Sequence, residues 1–352
     1  MLFSGSPSGL VPSQVRHAYN FDQVSFTKNG KPIAGNGAGE TIAIVDAYDD
    51  PTITKDLKTF DAQFGLSNTD SHGNFVLRKK YPDGRPPADP GWSQEIALDV
   101  EWAHAIAPKA KILLVEAASA STNALLDAID YARNVRGVVS VSMSWGGDES
   151  PFEVYYDDVL STPAGHRDGS GRQGGVTFVT SSGDSGAQAN WPAVSPHALA
   201  VGGTTLHTDS QGNYLGESAW AGSGGGLSVY EPDSTKSPDV AYNADPDTGF
   251  SIYSSTPDDQ GDTGWATVGG TSAGAPQWAA LLAIAAQGRN IEHKGALYGI
   301  SETIPAIYQL PQSDFHDITT GSNGYRARTG FDLVTGRGTP FADRIITDLV
   351  NV

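Results

Sequence analysis

The sequence predicts an α/β protein with a parallel, doubly wound sheet, and two observations carry this. Five apolar runs of strand length, rich in β-branched residues and lacking polar alternation, recur along the chain, as strands buried on both faces require. Segments of helical period lie between them, and strands alternating with helices build a parallel sheet covered on both sides.

In chain order, the first run is Thr41–Ala47 (TIAIVDA). A helix is expected over Ser93–Ala107 (SQEIALDVEWAHAIA), with Ser93 as its cap and Pro108 as its stop. The strand Lys111–Ala117 (KILLVEA) follows, then a helix over Ser121–Val135 that ends before Gly137. Further strands are expected at Val138–Trp145 (VVSVSMSW), Val176–Thr180 (VTFVT) and Ala198–Val201 (ALAV). From about Asp209 to Gly269 the text is rich in Gly, Ser, Asp and Pro, which predicts long surface loops and short hairpins. Gly274–Gln287 (GAPQWAALLAIAAQ) is apolar nearly all round and predicts a buried central helix.

Composition narrows the function. The 352 residues carry 40 acidic and 22 basic side chains, a net charge of −18, and no cysteine. That excludes a thiol nucleophile, a thiolate metal site and a disulfide framework. The negative surface argues against nucleic acid or an anionic membrane as the main partner. Met1–Leu10 (MLFSGSPSGL) has no basic region followed by an apolar run, so it does not read as a signal peptide. No run is long enough for a transmembrane helix. With no linker and no internal repeat, residues 1–352 read as a single domain, soluble or the mature part of something longer.

Three short texts carry chemistry. Gly269-Gly270-Thr271-Ser272-Ala273-Gly274 leads into the central helix, so Ser272 sits at the tip of a Gly-rich turn in the positive field of a helix N-terminus. The same text also suits an ordinary helix cap. Glu95 and Asp99 are four apart in an otherwise apolar helix, so both project from one face. Two carboxyls so placed titrate together, with one pKa raised, and can take a proton where histidine is already charged. In Ser182-Gly183-Asp184-Ser185-Gly186, a protonated Asp184 could donate to an oxyanion, although the text is also that of a plain turn. A rival base is His72, with Asp46, in the order Asp46–His72–Ser272; but Asp70-Ser71-His72-Gly73-Asn74 reads as a turn, with no helix after it.

Together these texts resemble the sedolisin (serine-carboxyl peptidase) family, in its kumamolisin-like branch, from about Ser6 to Val352. Ser142-Met143-Ser144-Trp145-Gly146-Gly147, Pro238-Asp239-Val240 and Phe315-His316-Asp317-Ile318 belong to the same likeness. The resemblance implies a subtilisin-like α/β domain with a mostly parallel sheet of about seven strands. It implies Ser272 as nucleophile, Glu95 as general base and acid, Asp99 as its orienting partner and Asp184 as the oxyanion acid. Asp46 and Trp145 are expected in the hydrogen-bond network beside the carboxyls. Ser144, Trp145 and Gly146, with the loop around Gly225, are expected to hold an extended substrate. A calcium loop at about 314–340 is implied, with side chains of Asp317 and Asp332 and carbonyls of Ile318, Arg328 and Gly330. Arg328 stands where relatives often carry glycine.

The implied protein is a secreted, monomeric, acid-acting endopeptidase of protein and peptide substrates, made with a pro-domain that is cleaved off. Two alternatives remain. One is a neutral subtilisin-type protease using Asp46, His72 and Ser272. The other is a catalytically dead, calcium-stabilised binding module.

Overall fold

In the computed structural model, residues 3–232 and 235–352 are described; Met1 and Leu2 of the N-terminal segment, and Asp233 and Ser234 of the 209–269 stretch, lie outside them. The apolar runs assemble into one sheet. Its strands are β1 (Thr41–Ala47), β2 (Leu77–Lys80), β3 (Lys111–Ala117), β4 (Val138–Met143), β5 (Thr177–Ser181), β6 (Ala198–Thr208), β7 (Tyr214–Ala219) and β8 (Val240–Asn243). Their order is β7-β6-β5-β4-β1-β3-β2, with β8 paired to β6. All pairings are parallel except that of β7, which leaves seven parallel strands and one antiparallel neighbour. The mostly parallel α/β sheet expected from the sequence is the one observed.

The helices are α1 (Pro12–Ala18), α2 (Ile53–Phe64), α3 (Pro90–Ile106), α4 (Thr122–Asn134), α5 (Gly274–Ile291), α6 (Ile304–Gln309) and α7 (Ala342–Asn351). The period-2 alternation of the strands sorts them into two layers. Ile42 and Ile44 of β1 point into one core with residues of α2, α3, α5 and α7, whereas Ala43 and Val45 point into the other with Leu125, Ala128 and Ile129 of α4. Asp46 is in phase with Ile42 and Ile44 and so faces the α3–α5 side. This alternation turns a strand end into part of a site.

Several boundaries differ from the sequence reading. Helix α3 begins at Pro90, not Ser93, because Asp89 caps it by accepting from the Trp92 N–H and Pro90 occupies the first turn, where its missing N–H costs nothing. Helix α4 has Ser121 as its cap. Strand β4 stops at Met143, leaving Ser144 and Trp145 beyond it, and β6 runs on to Thr208. The stretch 209–269 is more ordered than loops and hairpins. It contains β7, the fully buried β8, and a buried antiparallel pair, Phe250–Ser254 with Gly264–Val268. Among the described residues, no helix is long and apolar enough to cross a membrane.

Candidate active site

The start of α5 and the middle of α3 meet at the carboxyl end of the sheet. Helix α5 packs against α3, and both press on the sheet, so residues on these three surfaces converge. Ser272 lies in a single turn, Thr271–Ala273, that runs directly into α5. Its Oγ is 3.4 Å from the Ser144 carbonyl. The Glu95 carboxyl is close enough for the Ser272 hydroxyl to favour its ionised form. Burial nevertheless dominates and, with the charge of Asp184 adding to it, raises the Glu95 pKa to about 7.

One helical turn on, Asp99 is fully buried and accepts from Ser144 Oγ at 2.9 Å. The same hydroxyl lies 3.2 Å from the Ser272 carbonyl, so Ser144 ties the carboxyl helix to the serine turn. Asp46 is fully buried as well, and neither of its oxygens has a hydrogen-bond partner. Burial pushes the pKa of Asp99 and of Asp46 far up, and the nearby carboxyls push both further. Three acids thus share one apolar pocket, an arrangement that holds protons tightly.

The line continues to a residue that sequence pattern does not flag. Glu116 on β3 sits directly opposite Asp46 on β1, in register. Its Oε1 is 2.9 Å from Lys79 Nζ, and Lys79 also meets Asp49 at 2.5 Å. The only sequence signal for Glu116 is its position, one acid near the end of an otherwise apolar strand.

Asp184 stands on the other side of the serine. Its Oδ1 accepts from the Thr271 N–H at 2.7 Å and the Thr271 hydroxyl at 2.8 Å. A proton on this carboxyl therefore belongs on Oδ2. Gly270, at φ +107°, lets the chain pass close to that atom: a β-carbon there would lie 2.7 Å from Oδ2.

Trp145 donates its indole N–H to the Val45 carbonyl at 2.8 Å, so it braces the backbone beside Asp46. The N–H groups of Gly224 and Gly225 are donated to the Gly183 and Gln188 carbonyls, so this loop is braced internally. Gly146 is exposed, and a β-carbon there would lie 3.1 Å from the Trp191 carbonyl. His72 is exposed in the turn closed by Asp70, whose Oδ1 accepts from the His72 and Asn74 N–H groups.

The expected cation loop brings two carboxyls onto one segment. Asp317 accepts from the Gly330 N–H, and Asp332 accepts from the N–H groups of Arg328, Val334 and Thr335. Among the described residues neither has a basic partner. No group of three or more His, Cys, Asp or Glu side chains there could hold a metal, so a cation would depend on backbone carbonyls for its other ligands. Two carboxylates and carbonyls form an all-oxygen set suited to Ca²⁺. Arg328 is exposed.

A model of the subtilase family matches residues 93–300, more than half of the chain, and this span contains Glu95, Asp99, Asp184 and Ser272. Kumamolisin of Bacillus sp. (strain MN-32) is 31% identical over 99% of the chain, and sedolisin of Pseudomonas sp. (strain 101) is 27% identical over 96%. The chain spans 65% and 60% of the length of these two relatives. The solved structure of Pseudomonas sedolisin, a serine-carboxyl proteinase complexed with two molecules of pseudo-iodotyrostatin, superposes with a TM-score of 0.76 at 26% identity, covering 97% of this chain and 98% of that one. The chain therefore belongs to the subtilase family, and within it resembles kumamolisin and sedolisin along nearly its whole length.

Proposed function

We propose that this chain is a serine-carboxyl endopeptidase that cleaves protein and peptide substrates in acid. The observation that carries the reading is the buried Glu95 carboxyl beside the Ser272 hydroxyl, with Asp99 one turn behind it and His72 exposed on a distant turn. Ser272 Oγ attacks the scissile carbonyl while Glu95, in its ionised form beside an Asp99 that keeps its proton, takes the hydroxyl proton and then returns it to the leaving amine. Asp184, protonated on Oδ2, donates to the tetrahedral oxyanion, and water later resolves the acyl-enzyme by the same steps. Asp46 maintains the proton supply behind Asp99. Substrate backbone pairs along Ser144–Gly146, since the Gly225 loop uses its own N–H groups internally.

The testing experiment is a casein-cleavage pH profile with a His72→Ala variant alongside. Cleavage that peaks in acid and is unchanged by His72→Ala is expected. A neutral optimum overturns the reading. Loss of activity in His72→Ala would instead support the neutral subtilisin-type alternative.

The likeness to sedolisins also supports a secreted monomer whose own cleaved pro-domain is a partner. We further propose that Asp317 and Asp332, with the carbonyls of Ile318, Arg328 and Gly330, hold one structural Ca²⁺. The ion would clamp the C-terminal loop, a role that the absence of cysteine leaves open. Because a ligand that binds only the native state stabilises it by mass action, a chelator should lower stability by about 2–4 kcal/mol at saturating Ca²⁺. A melting temperature indifferent to the chelator would remove the site.

A further inference from the structure

A second cavity opens one residue beyond Ser144. It has a volume of about 180 Å³ and is walled by Trp145, Tyr156 and Trp191, with Glu153 in its lining. At about 30 Å³ per water this is room for on the order of six waters, enough for a long side chain. Its aromatic walls are set at angles to one another. The Trp145 and Trp191 rings are 6.4 Å apart at 48°, and the Tyr156 and Trp191 rings 5.7 Å apart at 66°.

Glu153 is only 2% exposed. Its Oε2 accepts from the Ser150 N–H at 2.6 Å; its Oε1 is buried and receives no N–H, and the Glu149 carboxyl lies within hydrogen-bond reach of the Glu153 carboxyl. An unpaired buried carboxyl oxygen is costly, and a donor that reached it would recover that cost. The groups packed around it are also acidic. Glu149 and Asp157 lie on its own segment, and Glu231 comes from the facing loop with its carboxyl against that of Asp157. Asp148 lines the same cavity and accepts from Gln188. The nearby His197 ring bonds the Asp157 carbonyl, not a carboxyl. Among the described residues, no Lys or Arg pairs with any of these acids.

An aromatic wall attracts a cation over its faces, and a carboxylate pairs with the cation's N–H groups. We propose that this cavity binds the guanidinium or ammonium group of an arginine or lysine side chain of the substrate, with Glu153 as its anionic partner and Trp145, Tyr156 and Trp191 as its stacking walls. The proposal rests on the peptidase reading for the kind of molecule that carries the cation. Its recognition is pH-dependent. Burial, and behind it the charges of Glu149 and Asp157, raise the Glu153 pKa to about 7, while the Ser150 N–H opposes them. A bound cation favours the ionised form, so binding releases a proton and tightens as pH rises from the acid range.

The test uses a Ser272→Ala chain, so that binding is read without cleavage. Affinities are measured by calorimetry and tryptophan fluorescence for a short peptide with one arginine and for the same peptide with neutral, isosteric citrulline. At about pH 7 the arginine peptide should bind on the order of tenfold tighter, a gap that narrows at about pH 4. Adding Glu153→Gln, which retains an acceptor for Ser150, should close the gap; Tyr156→Leu, in the half-exposed wall, should reduce it several-fold. Equal affinity for the two peptides, no binding of either, or a gap that survives Glu153→Gln overturns the proposal. A gap in binding by a chain whose wild type cleaves no casein would sink the peptidase reading alone, and casein cleavage without the gap would sink the pocket alone.

Discussion

Glu95→Gln should lower kcat/KM on peptide substrates by about 10³- to 10⁴-fold, with KM little changed. Glutamine keeps the size and shape of the side chain on α3 but cannot accept the proton of Ser272. The loss falls on the transition state, where the proton moves, and not on substrate binding, so kcat carries it. Ser272→Ala should reach about the same floor, and the double variant should not fall much further, because residues that act as one unit are not additive. Asp99→Asn should cost less, since Asp99 acts through Glu95 and Ser144 and not on the reacting atoms. The measurement is kcat and KM at the acid optimum, with melting curves to show that each variant is folded. A folded Glu95→Gln enzyme that kept a tenth of wild-type activity would place the base elsewhere.

The parts of this site that are legible in the sequence are those whose signal is local. Glu95 and Asp99 stand out because two acids at helical spacing interrupt an apolar helix. Ser272 stands out because a Gly-rich turn precedes a helix that is apolar on every side. Asp46 is visible as the acid that ends the first buried strand. Glu116 has no such signal, because its role depends on which strand lies beside β1, and register is a tertiary property. Glu153 is hidden for a similar reason. Its segment is rich in acids, and only tertiary packing buries it.

The same division holds for the fold. The long buried strands β1 and β3 are read to the residue, because four consecutive apolar residues at the centre of each leave little choice. Strand β2, with the text Leu-Arg-Lys-Lys, lies at the edge of the sheet and keeps polar side chains, so nothing in its composition marks it. Strand β8 is four residues inside a stretch dense in Gly, Pro and Asp, and it becomes a strand by pairing with the middle of β6, Val201–Thr204. Helix α2 carries apolar residues at 53, 57, 60 and 64, a readable period, but polar residues on its outer face dilute it. The start of α3 shows the limit of treating Pro and Gly as breakers. Asp89-Pro90 is a cap followed by the one helical position that welcomes proline.

The chain should be more stable at about pH 4.5 than at about pH 8, the reverse of the trend when ionised, paired carboxylates dominate. Burial raises the pKa of Glu40 and Glu95 to about 7, of Glu116 to about 8 and of Asp239 to about 6, and pushes Asp46, Asp99 and Glu101 well up. In the unfolded chain all of these return to about 4. Between the two limits the native state holds more protons than the unfolded one, so stability falls as pH rises. The contribution is complete below the unfolded values and is lost as pH passes through about 6 to 8. Each tenfold gain in a group's proton affinity on folding is worth about 1.4 kcal/mol, so the set amounts to several kcal/mol. Asp49, held down by Lys79 and Arg85 despite its burial, acts in the opposite sense and loses its contribution only as pH falls below the ordinary carboxylate range. The optimum therefore lies near pH 4–5, between these opposing sets. Thermal scans of Ser272→Ala, which cannot digest itself, at fixed Ca²⁺ should show the melting temperature at least about 5 °C lower at pH 8 than at pH 4.5. A melting temperature that rises over that interval would mean that these acids are ionised in the folded protein. The proton-holding site argued for Glu95, Asp99 and Asp46 would fall with them.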